Sequence, residues 1–169
     1  MKKKLLIGLG VVLVLIQFIR PEKAFKYDNP GDIKTKYTIP KDVSNLLLVA
    51  CSDCHTNRTI YPWYTNVQPV GWWINMHVTN GRRHLNFSEF TSKPIARQNH
   101  AFEEIMDQVK EKEMPLPSYT FLGMHPFAEL TDKQRISIIN WAQAQMDTLK
   151  AKYPPDSLIM KRRGPPPGQ

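Results

Sequence analysis

The stretch CSDCH, residues 51–55, holds both cysteines of a 169-residue chain within four positions and sets a histidine directly after the second. Two thiols at this spacing reach the two vinyl groups on one edge of a porphyrin. The adjacent imidazole reaches the iron from the proximal face, which makes the pattern a signature of covalent haem attachment. Three other readings compete. A redox dithiol is expected at a helix N-terminus near strands, and no strand alternation is visible here. A structural zinc site needs four ligands, and no further cysteine exists to complete it. A plain disulfide between residues three apart is strained and leaves His55 without a role. Covalent haem is the favoured reading.

Upstream, DVSNLLLVA (42–50) places a capping residue before a compact apolar run. It predicts a short helix that delivers the motif at its C-terminus. Downstream, proline-punctuated aromatics (YPWYTNVQP, 61–69) precede a predicted helix over 70–80, with Gly81 as its stop and Trp72, Trp73, Met76 and His77 giving it bulk. Ile95, Phe102, Ile105, Met106 and Val109 recur near a 3.6-residue period, so 94–113 reads as an amphipathic helix ended by Pro115 and Pro117. Thr131 with Gln134 forms a capping-box pattern that opens a helix over 131–150, with Ile136, Ile139, Met146 and Leu149 on its apolar stripe. No internal repeat or glycine-rich phosphate loop is present. A domain over 42–149 results, preceded by an extended tether (21–41) and followed by a Pro-rich, basic, disordered tail (150–169).

The N-terminus, MKKKLLIGLGVVLVLIQFIRPEKAF, has three lysines, an apolar run from Leu5 to Ile19 broken only by Gln17, and then Arg20 and Pro21. This is the layout of an export signal. As a helix the run spans only about 22 Å, against a hydrocarbon core of roughly 30 Å. No small-x-small cleavage site follows it. The expectation is an uncleaved anchor at residues 5–19 holding the domain on the periplasmic side of the inner membrane. A soluble periplasmic protein after signal cleavage is the alternative.

The net charge of +8 sits in the tails. Residues 1–41 carry nine Lys/Arg against three Asp/Glu, residues 42–149 nine against eleven, and residues 150–169 five against one. A basic recognition face on the domain is thereby excluded, and with it nucleic-acid binding.

A second axial ligand would close the iron for electron transfer, whereas its absence would leave it open for chemistry. The sequence offers Met76, Met106, Met114, Met124, His77, His84, His100 and His125. Met76, His77 and Met106 fall within predicted helices, where core packing explains them. Met114, just past a helix and held extended by the following proline, is the favoured candidate. His125, in GMHPF, is the alternative. His84 and His100 read as solvent-facing or locally hydrogen-bonded.

CSDCHTNRTIYPWYTNVQPVGWW, NGRRHLNFSEF, EMPLPSYTFLGMHPFAELT and INWA together resemble the bacterial haem-binding domain proteins, small single-haem relatives of class I cytochromes c. The resemblance covers about residues 42–149. It implies an all-α, cytochrome c-like fold wrapped around one covalently attached haem c. It also implies Cys51 and Cys54 as thioether attachments, His55 as proximal ligand and, by match to the cytochromes' Met-Pro segment, Met114 as distal ligand. The long YPWY to NFSEF segment between motif and Met114 departs from small electron carriers. Two functions follow as expectations: an anchored electron-transfer protein serving an unidentified redox partner protein, or a haem enzyme or gas sensor with an open or displaceable distal site.

Overall fold

The structure is a computed structural model describing residues 2–23, 30–121 and 124–160. Among these residues lie α1 (Lys2–Leu15), α2 (Lys41–Ala50), α3 (Ser52–His55), α4 (Val70–His84), α5 (Ile95–Lys110), α6 (Pro117–Thr120) and α7 (Asp132–Lys152), with short 3-10 turns and no strand element. The all-α expectation holds. The chain divides into two compact units, one from Met1–Asp28 with Ser52–Asn86, the other from Asn29–Cys51 with Phe87–Gln169.

The larger unit is built on α5 packed against α7. On α5 the 3.6-residue period turns Gln98, Ala101, Phe102, Ile105 and Val109 inward. Phe102 is fully buried and meets Trp141 edge-on at 5.6 Å, Tyr37 at 5.0 Å and Phe90 at 5.0 Å. The Trp141 indole N–H donates to the Thr38 carbonyl at 3.1 Å, which satisfies the one polar atom of a buried ring. α7 starts at the expected capping box, with both reciprocal bonds of Thr131 and Gln134 present. Its buried stripe is Ile138, Trp141, Ala142, Met146 and Leu149, and Ile136, expected on that stripe, is 56% exposed. Ile138 lies about 160° around the helix from Ile136, with Ile139 between them and half-buried, so the face that meets α5 is centred on Ile138 and not on the expected pair.

Two boundaries need correction. Residues 30–40, expected as part of a tether, are packed: Ile33 and Tyr37 are buried, and the Gly31 carbonyl accepts from the Thr91 N–H at 2.9 Å. A Cβ on Gly31 would run into the Ser92 hydroxyl, so glycine permits this approach. These anchors are isolated residues in a charged stretch and leave no period to detect; residues 24–29 of the expected tether lie outside the described residues. At the other end α7 continues to Lys152, a turn follows at Pro155–Ser157, and Leu158 is buried. The expected tail is therefore ordered to residue 160, and 161–169 lie outside the described residues.

In the smaller unit, α1 buries none of its side chains. The expected 5–19 segment is not one helix. α1 stops at Leu15, a 3-10 turn takes Ile16–Phe18, and no helix among the described residues is long and apolar enough to cross a membrane. Gln17 accounts for the break. Its side-chain amide donates to the carbonyls of Leu13 (2.9 Å) and Gln68 (3.1 Å), and its oxygen accepts from the Gln68 N–H at 2.8 Å. The following residues are strapped down by Trp72, whose indole donates to the Ile19 carbonyl at 2.7 Å, and by Lys23, which donates to Thr65 and Asn66.

α4 does not stop at Gly81 but runs to His84, closed by the Leu85 N–H on the Gly81 carbonyl. Arg82, Arg83 and His84 form its last turn, where positive charge suits the helix C-terminus. Nor do Trp73 and Met76 supply core bulk: they are exposed, and Gly71 and Val78 are the buried residues of this helix.

Candidate functional site

α2 ends where expected, and Cys51 caps it with its N–H on the Leu47 carbonyl at 3.0 Å. The next residues coil into the single turn of α3, which carries Cys54 and His55. Both cysteines are half-buried. The loop beyond is tied to this turn: Thr59 donates from its hydroxyl to the Asp53 carbonyl at 2.6 Å, and the Ile60 N–H donates to the Asp53 carboxylate at 3.1 Å. Arg82 of α4 clamps the same loop, donating from Nε to the Thr56 carbonyl (2.8 Å) and from a terminal nitrogen to the Thr59 hydroxyl (2.6 Å).

His55 is held by the end of α4. Its Nδ1 lies 3.1 Å from the Gly81 carbonyl and 2.9 Å from the Leu85 carbonyl. A carbonyl oxygen only accepts, so Nδ1 carries the proton and the lone pair sits on Nε2. Burial holds the ring below the ordinary histidine pKa, outweighing the two carbonyl contacts that raise it, while the charge on His84 lowers it further. The imidazole is thus neutral near pH 7, in the tautomer that ligates a metal through Nε2 while a carbonyl orients the ring from behind.

Burial pushes the Cys54 thiol up to about 11, the neighbouring Asp53 carboxylate adds to the rise, and Arg82 opposes it. A redox-active dithiol needs the opposite, a thiolate favoured by its surroundings. Among the described residues no three His, Cys, Asp or Glu side chains gather to hold a metal ion.

In sequence Gly81 reads as a helix stop, whereas in the fold it is the contact point of α4 with the motif. A Cβ there would lie 2.8 Å from the Cys54 carbonyl oxygen and 3.2 Å from the Cys54 Cβ. The three basic residues after it were the available sign that the helix continues. His77, which the sequence gives to packing, meets Trp73 edge-on at 4.5 Å, and its Nε2 is buried with no hydrogen-bond partner.

The remaining candidates have other surroundings. Met114, in the larger unit, is half-buried; its N–H donates to the Gln108 carbonyl, and its carbonyl accepts from Arg135 at 2.7 Å. His125 stacks on Tyr119 at 4.0 Å. Met76 and Met124 are exposed, Met106 is half-buried on α5, and His84 is exposed. His100 pairs locally with Glu103 and Glu104.

These residues suit haem by three observations: a thiol and imidazole donor set with the imidazole tautomer preset, a glycine that admits close packing behind the motif, and a buried imidazole nitrogen left without a partner. An all-α chain with this site is a haem-binding protein. Residues 11–144 match the haem-binding domain family, and the chain belongs to that family. No curated protein and no solved structure matches it.

Proposed function

We propose that the protein is a c-type electron-transfer cytochrome in which Cys51 and Cys54 hold one haem c by thioether bonds, His55 is the proximal ligand and Met114 the distal one. The observation that carries this reading is the double carbonyl anchor on His55 Nδ1, next to two thiols at attachment spacing. Haem held in this way supplies one-electron exchange between ferric and ferrous iron. The protein's part is to keep the His55 lone pair on Nε2, to orient the ring from α4, and to fix the loop after the motif with Arg82. Met114 as a thioether donor favours the reduced iron and hence a relatively high potential. His125 is the alternative distal ligand.

Attachment of this type takes place after export, so the periplasmic side of the inner membrane is the proposed location. The apolar residues 5–19 would hold the protein at the membrane; α1, exposed along its whole length, supports this. The slightly acidic central segment favours a redox partner protein with a basic patch.

The test is the absorption spectrum of the matured protein, oxidised and reduced, with and without carbon monoxide. A low-spin spectrum with a methionine-to-iron band and no carbon monoxide response is expected. A high-spin spectrum that shifts with carbon monoxide would overturn the carrier reading in favour of an enzyme or sensor. In a Cys51→Ala/Cys54→Ala variant, haem surviving denaturing extraction would refute covalent attachment.

A further inference from the structure

Polar contacts at three points strap the loop after the motif to the end of the apolar N-terminal run. Gln17 exchanges hydrogen bonds with the Gln68 backbone, the Trp72 indole donates to the Ile19 carbonyl, and Lys23 donates to Thr65 and Asn66. The Lys23 ammonium also lies 5.0 Å from the centre of the Tyr61 ring. All of these residues belong to the smaller unit.

Interleaved with the strapped residues are five apolar side chains turned to solvent: Ile60, Trp63, Val67, Val70 and Trp73. Ile60 and Trp63 are each 77% exposed. One such residue needs no explanation, but a group of them within one short loop and helix start marks a surface that meets something apolar. None stands more than two residues from a strapped one, so each Cα lies within about 8 Å of a Cα tied to 17–23.

Resting on the anchor reading above, the apolar run leaves the bilayer at Gln17–Arg20, and the strapped loop then stands at the level of the headgroups. Tryptophan and tyrosine suit that layer, because each ring is apolar at one end and wet at the other. The charge fits as well. Residues 42–149 carry eleven Asp/Glu, yet none falls within 54–88, which hold Arg58, Arg82 and Arg83. Anionic headgroups therefore meet cations and no carboxylate on this stretch. As a helix of 14 residues, α1 spans only about 21 Å of a core of roughly 30 Å, so apolar contact from the loop adds to what the run provides.

We propose that Ile60, Trp63, Val67, Val70 and Trp73 form a second membrane contact, seated in the headgroup layer where the N-terminal run emerges. The Ile60 N–H is bonded to the Asp53 carboxylate, so the contact also holds the CSDCH turn close to the bilayer surface.

The test uses the full chain, matured with haem in a bacterial host and reconstituted in vesicles of phosphatidylethanolamine and phosphatidylglycerol. The vesicles include a phospholipid with a photoreactive diazirine high on its acyl chain, and labelled tryptic peptides are read by mass spectrometry. Cleavage after Lys4 and Lys23 releases residues 5–23, since Pro21 protects the Arg20 bond; cleavage after Arg58 and Arg82 releases residues 59–82. Lipid label is expected on both peptides. In Trp63→Ser/Val67→Ser the label on 59–82 should fall severalfold, with the label on 5–23 and the covalent haem on a denaturing gel unchanged. Label on 5–23 with none on 59–82 overturns the inference and leaves the anchor standing. So does an unlabelled 59–82 in chains that amine cross-linking joins as dimers, which would give the surface to a second copy. Equal label on 59–82 in the variant and the wild type also overturns it. Label on neither peptide refutes the anchor reading itself and the inference with it.

Discussion

Gly81→Ala places a methyl group in the close contact between α4 and the CSDCH turn. The new carbon would sit 2.8 Å from the Cys54 carbonyl oxygen, 3.2 Å from its Cβ and 3.4 Å from its carbonyl carbon. Two of the three contacting atoms are backbone, so relief requires α4 and the CSDCH turn to separate by a few tenths of an ångström. Overpacking of this kind costs about 1–3 kcal/mol. Against it, alanine inside a helix is favoured over glycine by roughly 1 kcal/mol. The net expectation is a loss of about 1 kcal/mol, which for a chain of this size lowers Tm by about 2–4 °C. The same displacement draws the residue 81 carbonyl away from His55 Nδ1, now at 3.1 Å, and leaves the ring to the Leu85 carbonyl. The assay is thermal unfolding followed by helical circular dichroism, with Asn80→Ala as the control. Asn80 is exposed on the same helix, so its substitution gains propensity with no contact to violate. A Gly81→Ala protein as stable as the Asn80→Ala control would refute the close approach of α4 to Cys54.

Phe102→Ala should lower stability by about 3–5 kcal/mol, since the ring is fully buried among Tyr37, Phe90 and Trp141, and should move the urea midpoint without changing the slope. Tyr37 donates its phenol proton to Gln98 at 2.6 Å, and burial, aided by Tyr153, pushes its pKa from 10.0 to about 12. A phenol whose folded pKa is raised binds its proton more tightly when folded. Its contribution is therefore complete below pH 10 and is lost between pH 10 and 12. Urea midpoints should fall across that window in the wild type and fall less in Tyr37→Phe; parallel curves would contradict the assignment. Arg82→Lys should loosen the loop after the motif, because one ammonium cannot reproduce the two-directional contact with Thr56 and Thr59, and proteolysis within 56–60 should accelerate.

What could be read from the chain alone was local. Cysteine spacing and the adjacent histidine are a matter of covalent reach, the Thr131 and Gln134 capping box closes within one turn, and the period of α5 lies within a single segment. Each follows from bonds and dihedrals among residues a few positions apart, so sequence suffices. The tertiary structure decided the rest. It decided the His55 tautomer, through carbonyls 26 and 30 residues away, and turned Gly81 from an apparent helix stop into the contact that receives the motif. It drew Ile33 and Tyr37 out of an apparent tether, and it chose which isoleucines of α7 are buried. These outcomes depend on which surfaces meet after folding, and the free energy of burial belongs to the pair of surfaces and not to either segment by itself.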